Sequence, residues 1–293
     1  MADPKLHPVT FELPHITLAG LSNGRQGKPV LLALHGWLDN ANSFVPMVSY
    51  FNDFHFIAID WPGHGHSQHR PLGSEYNQLD YIDDLYQLLV SQEWPSVTLV
   101  GHSMGGILAS IFAAVFPERV RAVISIDACG PLHSQQTLAS IKTGIEQRSK
   151  RRTRASRPAP IPFSYAVNQR SAHSDLDKAQ IQLLLQRSVS FIEAANIETE
   201  GLIEWRTDRR LRNQSLLRLT ERQARELVTA IKCPVLLLLA KEGLVYGDKT
   251  RSEQLHWFNT ATYREVDGGH HCHMQHPEHI SREITEFLST NAA

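Results

Sequence analysis

The stretch Gly101-His102-Ser103-Met104-Gly105 decides the fold of this chain. An apolar run at residues 97–100 precedes it, and a run of small and apolar residues at 106–114 follows it. A strand, a G-x-S-x-G turn and a helix in this order predict a nucleophile elbow, which holds Ser103 in a sparsely populated backbone conformation and exposes its hydroxyl. Glycine is needed on both sides because a Cβ there would collide with the neighbouring backbone.

The composition of the 293 residues fits one large domain, or one domain with an insertion. The net charge of −1 gives no electrostatic argument for binding nucleic acid or an anionic membrane. The three cysteines, Cys129, Cys233 and Cys272, are too widely spaced for a disulfide framework, so we expect a reducing, cytoplasmic compartment. The sequence shows neither the apolar segment of a signal peptide nor a run long enough for a membrane span.

Eight short apolar or β-branched segments predict strands. They lie at residues 9–13, 16–21, 30–34, 54–59, 97–100, 122–126, 235–239 and 262–266. The last six are nearly continuous apolar runs, which is typical of strands buried on both faces of a sheet. Helical patterns occur at 78–91, 105–116 and 277–288. The alternation predicts an α/β fold with a mostly parallel eight-stranded sheet flanked by helices.

The alternation stops between residues 126 and 235, a stretch too long for a plain loop in a compact domain. Helical patterns lie there at 181–191, 192–197 and 220–231. We therefore predict a helical cap at 131–229, inserted over the carboxyl edge of the sheet into a core made of residues 1–130 and 230–293.

The segment 148–157 of this insertion is strongly basic, with five arginines and one lysine. We interpret it as a solvated linker or helix face, since runs of charge usually face water. Binding of an anionic substrate or partner is the alternative interpretation. Nucleic-acid binding is not indicated, because no aromatic residues or known motif accompany the charge.

A nucleophilic serine needs a base, an acid that orients the base, and donors for an oxyanion. The donors are predicted from His35-Gly36-Trp37, which follows the strand at 30–34. Gly36 allows a sharp turn, so that the backbone N–H groups of Trp37 and Met104 can converge on one carbonyl oxygen.

The base is expected after the last strand, where four histidines lie within residues 270–276. His270 directly follows the pair Gly268-Gly269 and is the predicted base, with His271 as the alternative. A metal site is the rival interpretation of a histidine-rich tract. No carboxylate lies at ligand spacing within the tract, so we expect no metal.

The acid is usually found in the turn after the strand at 235–239, and this chain has Gly243 there. Glu242 lies one residue earlier. Asp127 ends the strand beside the nucleophile strand, from which a carboxylate could reach His270. We predict Asp127 as the acid. Glu242 is the second choice, Asp248 is a further alternative, and a cap for the following segment is the structural alternative for Asp127.

Four motifs in this order resemble the α/β-hydrolase superfamily: His35-Gly36-Trp37, Asp60-x-x-Gly63-x-Gly65-x-Ser67, Gly101-x-Ser103-x-Gly105 and Gly269-His270. Residues 34–41, 205–211 and 268–271 look like a narrower group, the serine hydrolase-like, cap-bearing esterases. The resemblance implies a Ser-acid-His esterase without a cofactor, whose cap forms the pocket. Some members of the superfamily place the acid one strand earlier, at the position of Asp127.

We therefore expect a hydrolase that cleaves carboxylic esters of small or medium acyl chain through an acyl-enzyme. Its expected partner is a small-molecule ester, with no cofactor, nucleic acid or membrane span. Thioester hydrolysis, C–C bond hydrolysis and acyl transfer are alternative reactions at the same site. A non-catalytic ligand-binding protein of the same fold is the alternative of another class. It remains open because Gly243 stands where the acid is usually found.

Overall fold

The structure is a computed structural model that describes residues 6–153, 159–192 and 201–291. Eleven strands occur in these residues: β1 His7–Glu12, β2 Thr17–Ser22, β3 Val30–Leu34, β4 His55–Ile59, β5 Val97–His102, β6 Val120–Ile126, β7 Ile161–Pro162, β8 Val189–Phe191, β9 Leu202–Trp205, β10 Val235–Glu242 and β11 Ala261–Gly269. Eight of them form the main sheet, in the order β1-β2-β4-β3-β5-β6-β10-β11. Strand β2 pairs antiparallel with β1 and β4, and the other neighbours are parallel. The predicted α/β fold and all eight predicted strands are confirmed.

The helices in the described residues are α1 Gln78–Ser91, α2 Met104–Val115, α3 Thr137–Thr153, α4 Phe163–Ser171, α5 Lys178–Ser188, α6 Glu221–Thr229, α7 Lys249–Gln254, α8 Cys272–Gln275 and α9 Pro277–Asn291. Short 3₁₀ helices include Ala41–Tyr50 and Arg209–Arg212. Local sequence explains several boundaries. Helix α1 begins with a capping box between Asn77 and Asp80, and α6 begins with another between Thr220 and Gln223. None of the helices in the described residues is long and apolar enough to cross a membrane.

The sheet separates two hydrophobic clusters. Neighbouring residues of β5 face opposite ways, so Leu99 belongs to the same cluster as Leu108 of α2, while Val100 belongs to the same cluster as Ile284 of α9. Both strand residues are 0–1% exposed. Burial on both faces is the reason that the central strands are apolar without a break.

The inserted segment differs from its predicted form, because it is not purely helical. Strands β7, β9 and β8 form a three-stranded antiparallel sheet there. The helix predicted at 181–191 ends at Ser188, and the next three residues, Val-Ser-Phe, pair with β9 instead. β-Branched and aromatic side chains favour that pairing. The helix predicted at 192–197 lies, except for Ile192, outside the described residues. The division of the chain at 131–229 stays a prediction.

Candidate active site

Ser103 lies in the turn between β5 and α2, with φ 50° and ψ −115°. This left-handed conformation is strained for a residue with a Cβ, as the motif predicts. Two backbone hydrogen bonds hold the turn: Ser103 N–H donates to Ile126 O at 2.9 Å, and Ile107 N–H donates to Ser103 O at 3.1 Å. The adjacent strand and the following helix therefore keep the serine in place.

The two glycines of the motif are required by close backbone packing. A Cβ on Gly101 would overlap the backbone of Gly105. A Cβ on Gly105 would overlap the carbonyl group of Leu34, on the neighbouring strand β3. Helix α2 can start this close to the sheet only because both residues lack a side chain.

His270 and Asp127 form a direct contact. His270 follows β11, Asp127 follows β6, and His270 Nδ1 lies 2.6 Å from Asp127 Oδ2. The same oxygen accepts a hydrogen bond from the Leu244 backbone N–H at 2.8 Å. An ionised carboxylate at this distance accepts from an Nδ1–H group, and the imidazole tautomer with that proton has a lone pair on Nε2. Ser103, Asp127 and His270 all line one cavity of about 640 Å³.

The alternative acids lie elsewhere. Glu242 ends β10 and is exposed. Gly243 leaves room for Asp127, since a Cβ on Gly243 would overlap the Asp127 carboxyl group. Neither Glu242 nor Asp248 lines the cavity that contains Ser103. Of the three predicted acids, the structure thus brings Asp127 alone to His270 within the described residues.

The predicted oxyanion donors lie at the same cavity. Trp37 and Met104 line it next to Gly36 and Ser103. In the described part of the chain, no acceptor pairs with the backbone N–H of Trp37 or of Met104. Met104 is the first residue of α2, where a helix leaves its N–H groups without an intrahelical partner. The Trp37 indole N–H donates to Leu211 O at 3.0 Å and so ties this loop to the inserted segment.

The loop predicted to be structural, residues 60–67, is built around one buried carboxylate. Asp60 is fully buried and accepts hydrogen bonds from the backbone N–H groups of Ala41 and His66, both at 2.8 Å. Arg187 of α5 contacts both of its carboxylate oxygens, at 2.8 and 3.0 Å. The loop therefore links the core to the inserted segment.

A second group of charged side chains lies beside the candidate triad, and no sequence motif predicts it. His102 donates from Nε2 to the carbonyl oxygen of His270 at 2.8 Å. Asp39 pairs with Arg170 at 2.5 Å and lies 3.3 Å from His271 Nε2. His271 Nδ1 contacts Asp175 at 2.6 Å. The residues come from four distant parts of the chain, so only the folded structure brings them together.

Burial and charge act in opposite directions in this network. Burial would lower the pKa of His271, but Asp39 and Asp175 outweigh it and raise that pKa to about 9. Burial would raise the pKa of Asp39, but the charge of His271, a hydrogen bond from His271 and the charge of Arg170 hold it well below its usual range. Burial lowers the pKa of His102 to about 4. At neutral pH the network therefore holds a cationic His271 and a neutral His102.

Ligand atoms of Asp39, His102 and His271 lie within 4.8 Å of one another, close enough to share a metal ion. Asp39 follows β3, so the absence of a carboxylate from the histidine tract itself did not reveal this cluster. Asp39 and Asp175 raise the pKa of His271 to about 9, so a metal ion at this cluster would have to displace a proton from that imidazole at neutral pH. The expectation that no metal is needed stays a prediction.

Comparisons with known proteins identify the fold and the family. A family model described as "alpha/beta hydrolase fold" matches residues 29–160, which include Ser103 and Asp127. The "Serine hydrolase-like protein" of Danio rerio is 33% identical over 274 residues, covering 89% of this chain and 82% of that protein. The protein of the same name from Mus musculus is 30% identical and covers 90% of both.

A solved structure is also similar over nearly the whole chain. The crystal structure of a hypothetical protein from Pseudomonas aeruginosa PAO1 is 30% identical, with a TM-score of 0.87 over 96% of this chain and 99% of the other. Sequence similarity and shape therefore extend from the first strands to the last helix. The chain belongs to the serine hydrolase-like proteins of the α/β-hydrolase fold, and it is a hydrolase.

Proposed function

We propose that this protein cleaves carboxylic esters through a Ser103-His270-Asp127 triad and an acyl-enzyme. The observation that carries the proposal is the 2.6 Å contact between His270 Nδ1 and Asp127 Oδ2, in the cavity that Ser103 lines. The contact fixes the tautomer in which Nε2 of His270 can accept a proton. The strained turn of Ser103 presents its hydroxyl to the same cavity.

In the proposed reaction, Ser103 Oγ attacks the ester carbonyl carbon while His270 Nε2 takes the serine proton. Asp127 stabilises the imidazolium that forms. The N–H groups of Trp37 and Met104 bind the oxyanion, and each such donor supports about 3 kcal/mol of transition-state stabilisation. The protonated His270 then gives its proton to the leaving alcohol. Water attacks the acyl-enzyme in the second half of the cycle, with His270 as base again.

The cavity supports a small or medium acyl chain. Its volume is about 640 Å³, and Met104, Ile107, Ala128 and Leu132 give it an apolar side next to Ser103. Residues of the inserted segment, including Leu211 and Leu217, line the rest. We therefore propose that residues 131–229 act as a cap that selects the acyl chain. The three cysteines are buried and form no disulfide in the described residues, which supports the proposed reducing, cytoplasmic compartment.

A panel of p-nitrophenyl esters from acetate to laurate tests the function. We expect a burst of p-nitrophenol followed by steady turnover, with the highest kcat/KM for short or medium chains. Ser103→Ala should abolish both phases. Ser110→Ala is the matched control, because Ser110 lies on α2 and its hydroxyl only bonds Gly106 O within the helix.

The other outcomes separate the alternatives. Turnover of acyl thioesters without turnover of oxygen esters would replace the proposed substrate class. Saturable binding of esters with no turnover in the wild type would favour the ligand-binding alternative and contradict the proposal.

A further inference from the structure

A second cavity, of about 1870 Å³, adjoins the active-site cavity. The two share the lining residues Trp37, Arg170, Arg212, Asn213 and His271. The second space, which we call the basic cavity, therefore lies directly beside the cavity that contains Ser103.

More cationic than anionic side chains line the basic cavity. Among the described residues, nine arginines and three carboxylates line it, and two of the arginines, Arg70 and Arg170, also pair with Asp84 and Asp39 from outside the lining. Two of the arginines, Arg148 at 3.6 Å and Arg152 at 3.5 Å, share the single carboxylate of Glu75. Cationic clefts with low-dielectric walls concentrate anions. The cavity is therefore suited to a negatively charged ligand.

Two arginines of this cavity carry the argument. No carboxylate in the described ranges forms an ion pair with Arg151 or Arg212. Burial, together with the positive charges of Arg151 and Arg170, lowers the pKa of Arg212. Both guanidinium groups therefore line one cavity without a carboxylate partner, and an anion bound in that cavity would offset their charge.

The helix dipole explains the position of Arg151 but not that of Arg212. Arg151 lies in the last turn of α3, where a cation is favourable next to the helix carboxyl terminus. Arg212 ends a single 3₁₀ turn, Arg209–Arg212, and has no such reason to approach Arg151. A bound anion gives both residues one common role.

We propose that the basic cavity binds a phosphate group on the leaving-group half of the substrate, with Arg151 and Arg212 as the phosphate-binding residues. The proposal rests on the proposed ester hydrolysis. Guanidinium groups match the geometry of phosphate oxygens, and two of them balance a dianion. The apolar side of the active-site cavity, at Met104, Ile107 and Leu132, is suited to the acyl half, which leaves the basic cavity for the alcohol half.

The sequence predicts a solvated linker or helix face at residues 148–157, with anion binding as the alternative. The segment does form the end of α3 as far as Thr153, and the Arg152 side chain is 64% exposed. Arg148, Arg151 and Arg152 also line the basic cavity, and the proposal adds the alternative interpretation, anion binding, to this helix face. Arg154 and Arg157 lie outside the described residues.

The test compares two esters with the same acyl chain, 4-(phosphonooxy)phenyl butyrate and the neutral 4-methoxyphenyl butyrate. The wild type should prefer the phosphorylated ester by at least about tenfold in kcat/KM, mainly through a lower KM. Arg212→Gln and Arg151→Gln should each reduce this preference by about tenfold. Arg222→Gln, at an exposed arginine of α6 outside both cavities, should keep the wild-type preference.

Four results separate the proposals. Turnover of both esters without preference would overturn the phosphate site and leave ester hydrolysis intact. An equal preference for 4-(carboxymethoxy)phenyl butyrate would overturn the assignment to phosphate.

If no ester is hydrolysed, the proposed function and the leaving-group assignment fail together. Calorimetry with inorganic pyrophosphate then tests the anion site by itself. Saturable binding that Arg212→Gln weakens about tenfold would support that site, and absence of binding to the wild type would overturn it.

Discussion

The Asp127 carboxyl group lies where a side chain on Gly243 would begin: a Cβ on Gly243 would overlap that carboxyl group. Strands β6 and β10 are neighbours in the sheet, so the residues that follow them meet at its carboxyl edge. The glycine found where an acid is usual therefore makes room for a carboxylate from the adjacent strand. The next backbone N–H, of Leu244, donates to that carboxylate at 2.8 Å.

The first prediction concerns the acid. Asp127→Asn should lower kcat on p-nitrophenyl butyrate by about 10⁴-fold, because an amide favours the wrong tautomer of His270. Glu242→Gln is the matched control and should keep kcat within about twofold, since its exposed side chain forms no contact with His270. A large loss of kcat in Glu242→Gln with little loss in Asp127→Asn would identify Glu242, at the end of β10, as the acid.

The second prediction tests whether Gly243 is needed because a side chain there would overlap Asp127. Gly243→Ala should displace Asp127 and reduce kcat by at least about tenfold, with a loss of about 1–3 kcal/mol in the free energy of unfolding. Gly247→Ala adds the same methyl group in the same loop, where the nearest atom would be 3.7 Å away. Gly247→Ala should change neither kcat nor the free energy of unfolding appreciably. Urea denaturation and ester kinetics on both variants provide the measurement, and equal effects would contradict this account of Gly243.

The third prediction is a loss of stability at alkaline pH. Folding raises the pKa of His271 from 6.5 to about 9, with Asp39 and Asp175 outweighing burial. The stabilisation is fully present below pH 6.5 and is lost as the pH rises to about 9, and it amounts to at most about 3 kcal/mol. Buried histidines with lowered pKa, such as His102, contribute the opposite trend, so the His271 contribution is measured by urea denaturation at pH 6 and pH 9 as the difference between the wild type and a variant without this imidazole.

A histidine variant isolates the source of that pH dependence. Between pH 6 and pH 9, His271→Gln should lose about 3 kcal/mol less free energy of unfolding than the wild type does. His256→Gln, at an exposed histidine outside the network, should show the same change with pH as the wild type. A wild-type slope in His271→Gln would show that other groups cause the loss.

The fourth prediction compares a buried and an exposed ion pair. Arg187→Gln leaves the fully buried Asp60 carboxylate without its cation and should lower the free energy of unfolding by about 3–5 kcal/mol. Arg225→Gln breaks the exposed pair with Glu221 and should cost about 0.5 kcal/mol or less. Thermal or urea denaturation of the two variants provides the comparison. Similar losses would mean that Asp60 does not depend on Arg187.

Local patterns predicted the core well, because its strands are buried on both faces and its helices carry local caps. The eight strands and the helix at 78–91 occur where the sequence placed them, within a few residues. The inserted segment was predicted less well. Its three strands are at most four residues long, and they exist through pairing with one another. A three-residue strand has too few residues to show a period of its own.

The sequence by itself determined the elbow at Ser103, because the glycines, the preceding strand and the following helix are contiguous. It also determined the alternating α/β order and the position of the candidate base after the last strand. The tertiary structure alone decided which carboxylate meets His270, since Asp127 is 143 residues away along the chain. It also assembled the network of Asp39, His102 and His271 and the basic cavity. These sites depend on which loops the parallel sheet and the inserted segment bring to one edge, and no local pattern encodes that proximity.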